Sequence, residues 1–428
     1  MGLADQKDWD GLRVMQVYKH SEVGLIPEDW DVLPLGKLVR SVEYGSAAKS
    51  GFKGAIPVLR MGNLRGGKID WSDLVYTDDI DEIDKYKLQP NDVLFNRTNT
   101  IDLVGKTSIY DGSSPAIFAG YLIRINVVME LLDSSFLNYV LNTEFSRKHS
   151  AKVLSIAVGQ ANINGQKLKT YPIPLPPTKT EQVAIATALS DLDGLLAALD
   201  RLITKKRDLK HAAMQQLLTG QTRLPGFHGK WKAKQLGDLI THCFSGATPR
   251  RNRPDFYKGN VRWITSGELN YNTITDTIEK ITSEAVAKTN LAIIPKGTFL
   301  IAITGLEAAG TRGSCGIVGE QSTTNQSCMA IFPTIELVTE YLFHFYVYRG
   351  DALAMKYCQG TKQQSYTAKL VKKLPIDVPP TTIEQTAIAE VLTEMDAELV
   401  LLTQRRDKTR ALKQAMMQEL LTGKTRLV

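Results

Sequence analysis

The stretch MQQLLTGQTRL at residues 214–224 returns as MQELLTGKTRL at 417–427, an offset of 203 positions. At the same offset, PIPLPPTKTEQVAIATALSDLD from Pro172 pairs without a gap against PIDVPPTTIEQTAIAEVLTEMD from Pro375, and about half of the positions out to Leu224 and Leu427 are identical. Upstream the likeness thins but keeps its order. Trp30 with LGKL answers Trp231 with LGDL, and LQPNDVLF (88–95) resembles AIIPKGTFL (292–300). The chain therefore reads A, B, A′, B′. A duplication of this kind restricts the fold to two copies of one plan, with B doing one structural job twice and A carrying something variable.

B has helical punctuation. Pro176, Pro177 and Thr178 end an extended run and supply an N-cap, with Glu181 three residues on as a capping-box partner; Thr381 and Glu384 repeat the signal. Apolar residues then recur in steps of four and three at Ile185, Leu189, Leu192, Leu196, Leu199 and Ile203, and again at Ile388, Leu392, Met395, Leu399 and Leu402. This spacing predicts a coiled-coil seam. Gly220 and Gly423 stand where left-handed helix ends belong, giving helices of about 40 residues and about 60 Å at about 1.5 Å per residue. Neither helix buries such a stripe alone, so the two are expected to pair antiparallel as a rod with a pseudo-twofold axis. Both seams turn polar, around Lys205 to Lys210 and Gln404 to Arg410, either to set the register or to dock a partner.

A and A′ have a different texture. IPVLRMGNL (56–64), DVLFNRT (92–98) and YLIRINVV (121–128), with VRWITSGEL, GTFLIAITG and SCMAIFP in A′, are short β-like runs bounded by Gly, Pro, Asn and Asp. DSSFLNYVLNT (133–143) and ELVTEYLFHFYVYRG (336–350) read as helices. The expected fold class is α+β, with domains at 1–177 and 221–374, a long helix at 178–220, and a second long helix with a C-terminal tail at 375–428. A chain of 428 residues is long enough for such cores.

Charge separates the two A segments. Residues 1–170 hold 20 Lys/Arg against 21 Asp/Glu, including the acidic run DDIDEID at 78–84, whereas residues 225–374 hold 18 against 11. The second segment thus equals the whole formal excess of +7 and hints at a polyanionic partner. The N-terminus lacks the apolar core of a signal peptide, and nowhere do eighteen uncharged apolar residues run together, so a cytoplasmic protein without a membrane span is expected.

No catalytic constellation is legible. GKT at 105–107 and 423–425 lacks the earlier P-loop glycine, those positions being Thr100 and Gln418. No G-x-G-x-x-G follows a strand, and LPPT and VPPT lack the flanking residues of an amino-methyltransferase motif. RPDFYKG, with Pro254 and Asp255, reads as a turn and not as the start of a nuclease motif. Cys243, Cys315, Cys328 and Cys358 never approach C-x-x-C spacing and are expected as scattered buried thiols. His20, His149, His211, His228, His242 and His344 form no metal-ligand pair, so no metal site is expected.

The A segments offer instead polar side chains on turns between strands. In A these are Arg60, Asn63 and Arg65; Arg97 and Asn99; and Gln160, Asn162 and Asn164. In A′ they are Arg250, Arg251 and Arg253; Ser266 and Asn270; Asn325 and Gln326; and Lys362, Gln363 and Gln364. Arg reads guanine, and Asn or Gln reads adenine, through paired hydrogen bonds, which makes these residues candidate DNA contacts.

TEQVAIATALSDLD and IEQTAIAEVLTEMD, each after Pro-Pro-Thr and each running on to MQ-LLTG-TRL, resemble the conserved regions of the specificity (S) subunit of type I restriction-modification systems. The resemblance covers essentially the whole chain. It implies two target recognition domains separated by two long helices, each domain reading one half-site of a bipartite double-stranded DNA target. It also implies docking to two modification (methyltransferase) subunits and to restriction (motor-nuclease) subunits, with no cofactor on this chain: S-adenosylmethionine belongs to the modification subunits, ATP and Mg to the motor-nuclease subunits. Two other readings are a coiled-coil scaffold binding something other than DNA, and a self-contained DNA methyltransferase or nuclease.

Overall fold

The computed structural model describes residues 17–157, 159–308, 310–359 and 364–427. It divides into two compact units, residues 1–198 with 405–428 and residues 199–404. This differs from the linear division into 221–374 and 375–428. Pro375–Val378 is a strand, antiparallel to Lys232–Gln235, and so belongs to the sheet structure of the second unit. Each long helix also contributes one half to each unit.

In the first unit, Val39–Tyr44, Leu122–Val127, Val93–Asn96 and Thr107–Ile109 form an antiparallel four-stranded sheet in that spatial order. Alternation along Leu122–Val127 turns Ile123, Ile125 and Val127 into the main core with Phe95, while Leu122 joins Leu94 and Phe118 in a smaller one. The helix Ser134–Leu141 covers the main core with Phe136, Leu137, Val140 and Leu141, and Asp133 caps it by accepting from Phe136 N at 2.8 Å. A short sheet places Ile56–Leu59 between Ile117–Phe118, which is parallel to it, and Val75–Thr77. Pro172–Leu175 pairs with Asp31–Pro34.

The second unit repeats this plan. Ile240–Ser245, Cys328–Pro333, Phe299–Ala302 and Cys315–Val318 follow in the same order, and Asn272–Ile274 adds a fifth, parallel strand. Val261–Ile264 lies between parallel Thr323–Thr324 and antiparallel Lys280–Ile281. The covering helix, Thr339–Tyr357, is longer than its counterpart. Cys315 and Cys328 are buried, whereas Cys243 and Cys358 are only partly so, a correction to the expectation of four buried thiols.

The long helices span Lys179–Leu217 and Thr382–Leu420, 39 residues each. Thr178 Oγ accepts from Glu181 N and Thr381 Oγ from Glu384 N, both at 3.3 Å. The expected capping boxes are nevertheless only half made, because each glutamate side chain is taken elsewhere. In the first unit the buried Glu181 receives both arms of the Arg426 guanidinium, with Nη2 at 2.7 Å, and Arg426 also meets Asp29 at 3.0 Å and lies 5.9 Å over Trp30. In the second unit the buried Glu384 receives Arg223 in the same way, with Nη2 at 2.6 Å and the guanidinium 5.9 Å over Trp231. Gly423 and Gly220 both have φ +69°, a conformation that side chains rarely adopt, and a Cβ added at either would come within 3.0 Å of Trp30 or 3.1 Å of Trp231. The repeated TGxTRL thus has a physical reason: it turns the end of one long helix so that an arginine neutralises a buried carboxylate at the start of the other.

Further along, the helix segments run antiparallel within each unit. Lys413 meets Asp193 at 2.6 Å in the first; Lys206 meets Glu398 at 2.7 Å and Lys210 meets Asp396 at 2.5 Å in the second. The Lys205–Lys210 stretch therefore supplies cross-helix ion pairs. Over one eighteen-residue window the first long helix is apolar enough, by length and composition, to cross a membrane. Its apolar Ile185 and Leu189 are instead in the core of the first unit.

Candidate nucleic-acid interface

The first unit gathers four of the predicted residues. Thr98–Asn99 pairs antiparallel with Gln160–Asn162, setting Thr98 opposite Asn162 and Asn99 opposite Ala161. The Arg97 guanidinium lies 4.7 Å over the Tyr44 ring and donates to Gly120 O at 3.3 Å and Asn162 Oδ1 at 3.4 Å. Asn162 donates in turn to Thr98 Oγ at 2.8 Å, Asn99 Nδ2 lies 3.4 Å from Met61 Sδ, and Gln160 is exposed. Chemically this is a patch of amide and guanidinium donors on a partly exposed sheet. Tyr44 was missed by sequence reasoning, since nothing local links position 44 to position 97.

The remaining candidates of this unit have partners within it. Asn63 is buried, accepts from Arg60 N at 2.8 Å and donates to Asp70 O and Asp73 O at 2.9 Å, so its amide holds a turn together and is closed to a base. Asn164 caps the short helix Gly165–Leu168 by accepting from Lys167 N at 2.9 Å. Arg60 and Arg65 reach the surface but pair with Asp73 and Asp70, each at 3.0 Å. Hydrogen bonds from Ser72, with a smaller contribution from Arg65, hold the Asp70 carboxyl below its usual range.

In the second unit, Asn325 N donates to Ile264 O at 2.9 Å, which brings Asn325 and Gln326 beside the turn that begins at Ser266. Thr248 donates to Gln326, while Asn325 Oδ1 accepts from Ser327 N at 3.0 Å and so serves its own turn. Asn270 is exposed and donates to Gly267 O at 3.2 Å. Two arginines are neutralised by their own domain. Arg251 is stacked over Tyr257 at 4.4 Å and held by both Glu279 oxygens at 2.6 and 2.9 Å; Arg253 is held by Asp255 at 2.5 and 2.8 Å. These hydrogen bonds raise both guanidinium pKa values and lower those of Glu279 and Asp255. Arg250 is exposed. Gln364 receives the Cys358 thiol at 3.5 Å, and its N–H goes to Glu307 at 3.0 Å. Lys362 and Gln363 lie outside the described residues.

The predicted seam divides into two kinds of position. Ile185 and Leu189 belong to the core of the first unit, and Ile388 and Leu392 to that of the second, because the start of each helix lies against the sheet-covering helix. The same clusters take in Leu420 of the second long helix and Met214 and Leu217 of the first, so these positions serve a domain core in addition to the expected helix pairing. Leu199 and Ile203 are buried; Leu192, Leu196, Met395, Leu399 and Leu402 are half-buried. The polar residues that anchor the helix starts were also missed. Gln182 accepts from Asp133 N at 2.9 Å and donates to Leu131 O at 3.0 Å; Gln385 does the same with Val338 N at 2.8 Å and Glu336 O at 2.9 Å. Identity of Glu-Gln and of Thr-Arg-Leu at a constant offset was the available signal. Among the described residues, no group of three His, Cys, Asp or Glu side chains is placed to hold a metal ion.

Comparison with known proteins accords with this doubled plan. The model of the type I restriction modification DNA specificity domain matches twice, over residues 27–206 and 228–409. A protein of Methanocaldococcus jannaschii assigned as the MjaX type I restriction enzyme specificity subunit is 26% identical over 425 residues, covering 96% of this chain and 97% of that one. The EcoR124I/EcoR124II specificity subunit of Escherichia coli is 25% identical over 55% of this chain and 57% of its own. The crystal structure of a type I restriction-modification S subunit from M. genitalium superposes with a TM-score of 0.61 at 16% identity, over 91% of this chain and 96% of that one, a likeness of fold. With the specificity domain matched twice over most of its length, the chain belongs to the type I restriction modification DNA specificity family.

Proposed function

We propose that this chain reads a bipartite double-stranded DNA target, one half-site with each recognition domain, while its long helices pair as an antiparallel coiled coil and dock two modification subunits and the motor-nuclease subunits. Chemistry then belongs to those partners: S-adenosylmethionine on the modification subunits, ATP and Mg on the motor-nuclease subunits, with this chain supplying recognition in the cytoplasm. The observation that carries the reading is the doubling itself. Two specificity-domain matches each cover one sheet domain and most of the long helix that follows it. Faithful helix ends with diverged strands are what a shared docking frame with two different readers requires.

The test is a genome-wide map of N6-methyladenine in cells expressing this chain with its cognate modification subunit, and in cells expressing that subunit alone. A two-part motif that appears only with this chain is expected. An insertion of a few residues after Thr219 should then change the tolerated spacer, because major-groove faces recur about every 34 Å. An unchanged spacer would count against the helices as the element that sets it.

A further inference from the structure

We propose that Arg97 is a specificity-determining residue of the first recognition domain, offering its guanidinium donors to the acceptor edge of a guanine in the first half-site; this rests on the DNA-reading function proposed above. The first observation is one of charge. Arg60, Arg65 and Arg124 in the same unit each reach a carboxylate, at 3.0 Å for the first two. Among the described residues Arg97 has no carboxylate within 4.0 Å, and its neighbours are neutral: the carbonyl of Gly120, the amide of Asn162 and the ring of Tyr44. An arginine already paired bidentately must break that pair to meet DNA. Arg97 has nothing of the kind to break.

The second observation is orientation. Tyr44 lies 4.7 Å beneath the guanidinium, and its hydroxyl is itself fixed by accepting from Gly165 N at 2.8 Å. The ring contact and the two hydrogen bonds restrain the guanidinium before any ligand arrives, and recognition of guanine O6 and N7 by two parallel N–H groups gains from such restraint. The bonds that hold the group are long, 3.3 and 3.4 Å, and each uses one hydrogen of a different terminal nitrogen; Nε is buried, so among the described residues the second hydrogens of the two terminal nitrogens are the donors left unused. Arg251 of the second unit makes the contrast: it is stacked on Tyr257 just as closely, but Glu279 takes both of its terminal nitrogens.

The experiment is the methylation map of the full complex, carried by wild type, Arg97→Ala and Arg97→Lys. For wild type a two-part motif is expected. In both variants the preference at one G·C pair of one half-site should fall by roughly tenfold or more, with the other half-site and the spacer unchanged. Lysine keeps the charge but not the planar fork, so a fully specific Arg97→Lys complex would mark the residue as a plain phosphate contact and overturn the assignment. An unchanged motif in Arg97→Ala overturns it as well, while leaving the specificity reading intact. If Arg97→Ala fails to assemble, Arg97→Lys carries the test alone. A wild-type chain with no motif of its own overturns the specificity reading and this inference together.

Discussion

At the ends of the long helices the two units are close copies, and on their strands they are not. Glu181, Arg426, Trp30 and Gly423 in the first occupy the places of Glu384, Arg223, Trp231 and Gly220 in the second, with guanidinium-to-ring distances of 5.9 Å in both. The arginines on the connections diverge: Arg97 lies among neutral partners, whereas Arg251 and Arg253 are clamped by acids of their own domain. This teaches where the net charge misleads. The second segment carries the basic excess, yet its Arg251 and Arg253 are each held by an acid of their own domain; the nearly neutral first segment holds Arg97, which has no carboxylate partner among the described residues. Local pairing, not the sum over a segment, decides what is offered to a polyanion.

The clasps provide the sharpest way to break the comparison. Arg426→Ala leaves Glu181, which is 1% exposed, as an unpaired buried carboxylate, and should destabilise the first unit by about 3–5 kcal/mol. Arg223→Ala should do the same to the second unit through Glu384. Hydrogen exchange resolved by peptide checks this: each variant should lose protection in its own unit, and equal loss in both units would refute separate clasps.

A smaller effect separates the units by pH. Asp193 with Lys413, and Asp396 with Lys210, are equivalent ion pairs, but the covering helix sets Tyr139 against the first and His344 against the second, each six residues after the backbone N–H held by Gln182 or Gln385. Tyr139 donates to Asp193 at 2.8 Å, whereas His344 Nε2 meets Thr393 at 2.9 Å and its Nδ1 is 4.0 Å from Asp396. Burial, aided by Lys210 and opposed by Asp396, pushes the His344 imidazole down to about 4 from an ordinary 6.5. The unfolded chain therefore takes up a proton that the native state refuses. Stability from this site is full above about pH 6.5 and is lost as pH falls toward 4, by up to about 3 kcal/mol. Melting of the second unit followed at pH 7 and pH 4.5 should show this excess sensitivity over the first, and His344→Gln should remove most of it.

A further difference separates Asn162, which touches Arg97, from Asn164, which caps a helix. Asn164→Ala removes a helix cap and should cost about 1 kcal/mol in thermal unfolding without altering the methylation motif. Asn162→Ala frees one side of Arg97 and should relax the motif instead; the reverse pattern would exchange their roles.

Several features were legible in one dimension because their physics is local or periodic. The duplication, the strands at 93–96 and 122–127, and both long helices follow from repeat, alternation and heptad spacing. The full surroundings of the first seam positions were not legible, because an apolar stripe carries no label for the surface that covers it: Ile185 and Ile388 join a domain core as well as apolar residues of the other long helix. Candidate reading residues were legible only as polar turns. Asn63 and Arg97 look alike in sequence, yet one is saturated by backbone groups and the other is presented on a tyrosine.

The plan of two sheet domains and two matching helices can be read in one dimension, since periodicity and repetition are written residue by residue. The partnership of distant groups arises only on folding. Glu181 with Arg426, Glu384 with Arg223, and Arg97 with Tyr44 and Asn162 are separated by tens to hundreds of residues. Hydrogen bonds and charge neutralisation depend on distance in space, and the folded chain alone sets that distance.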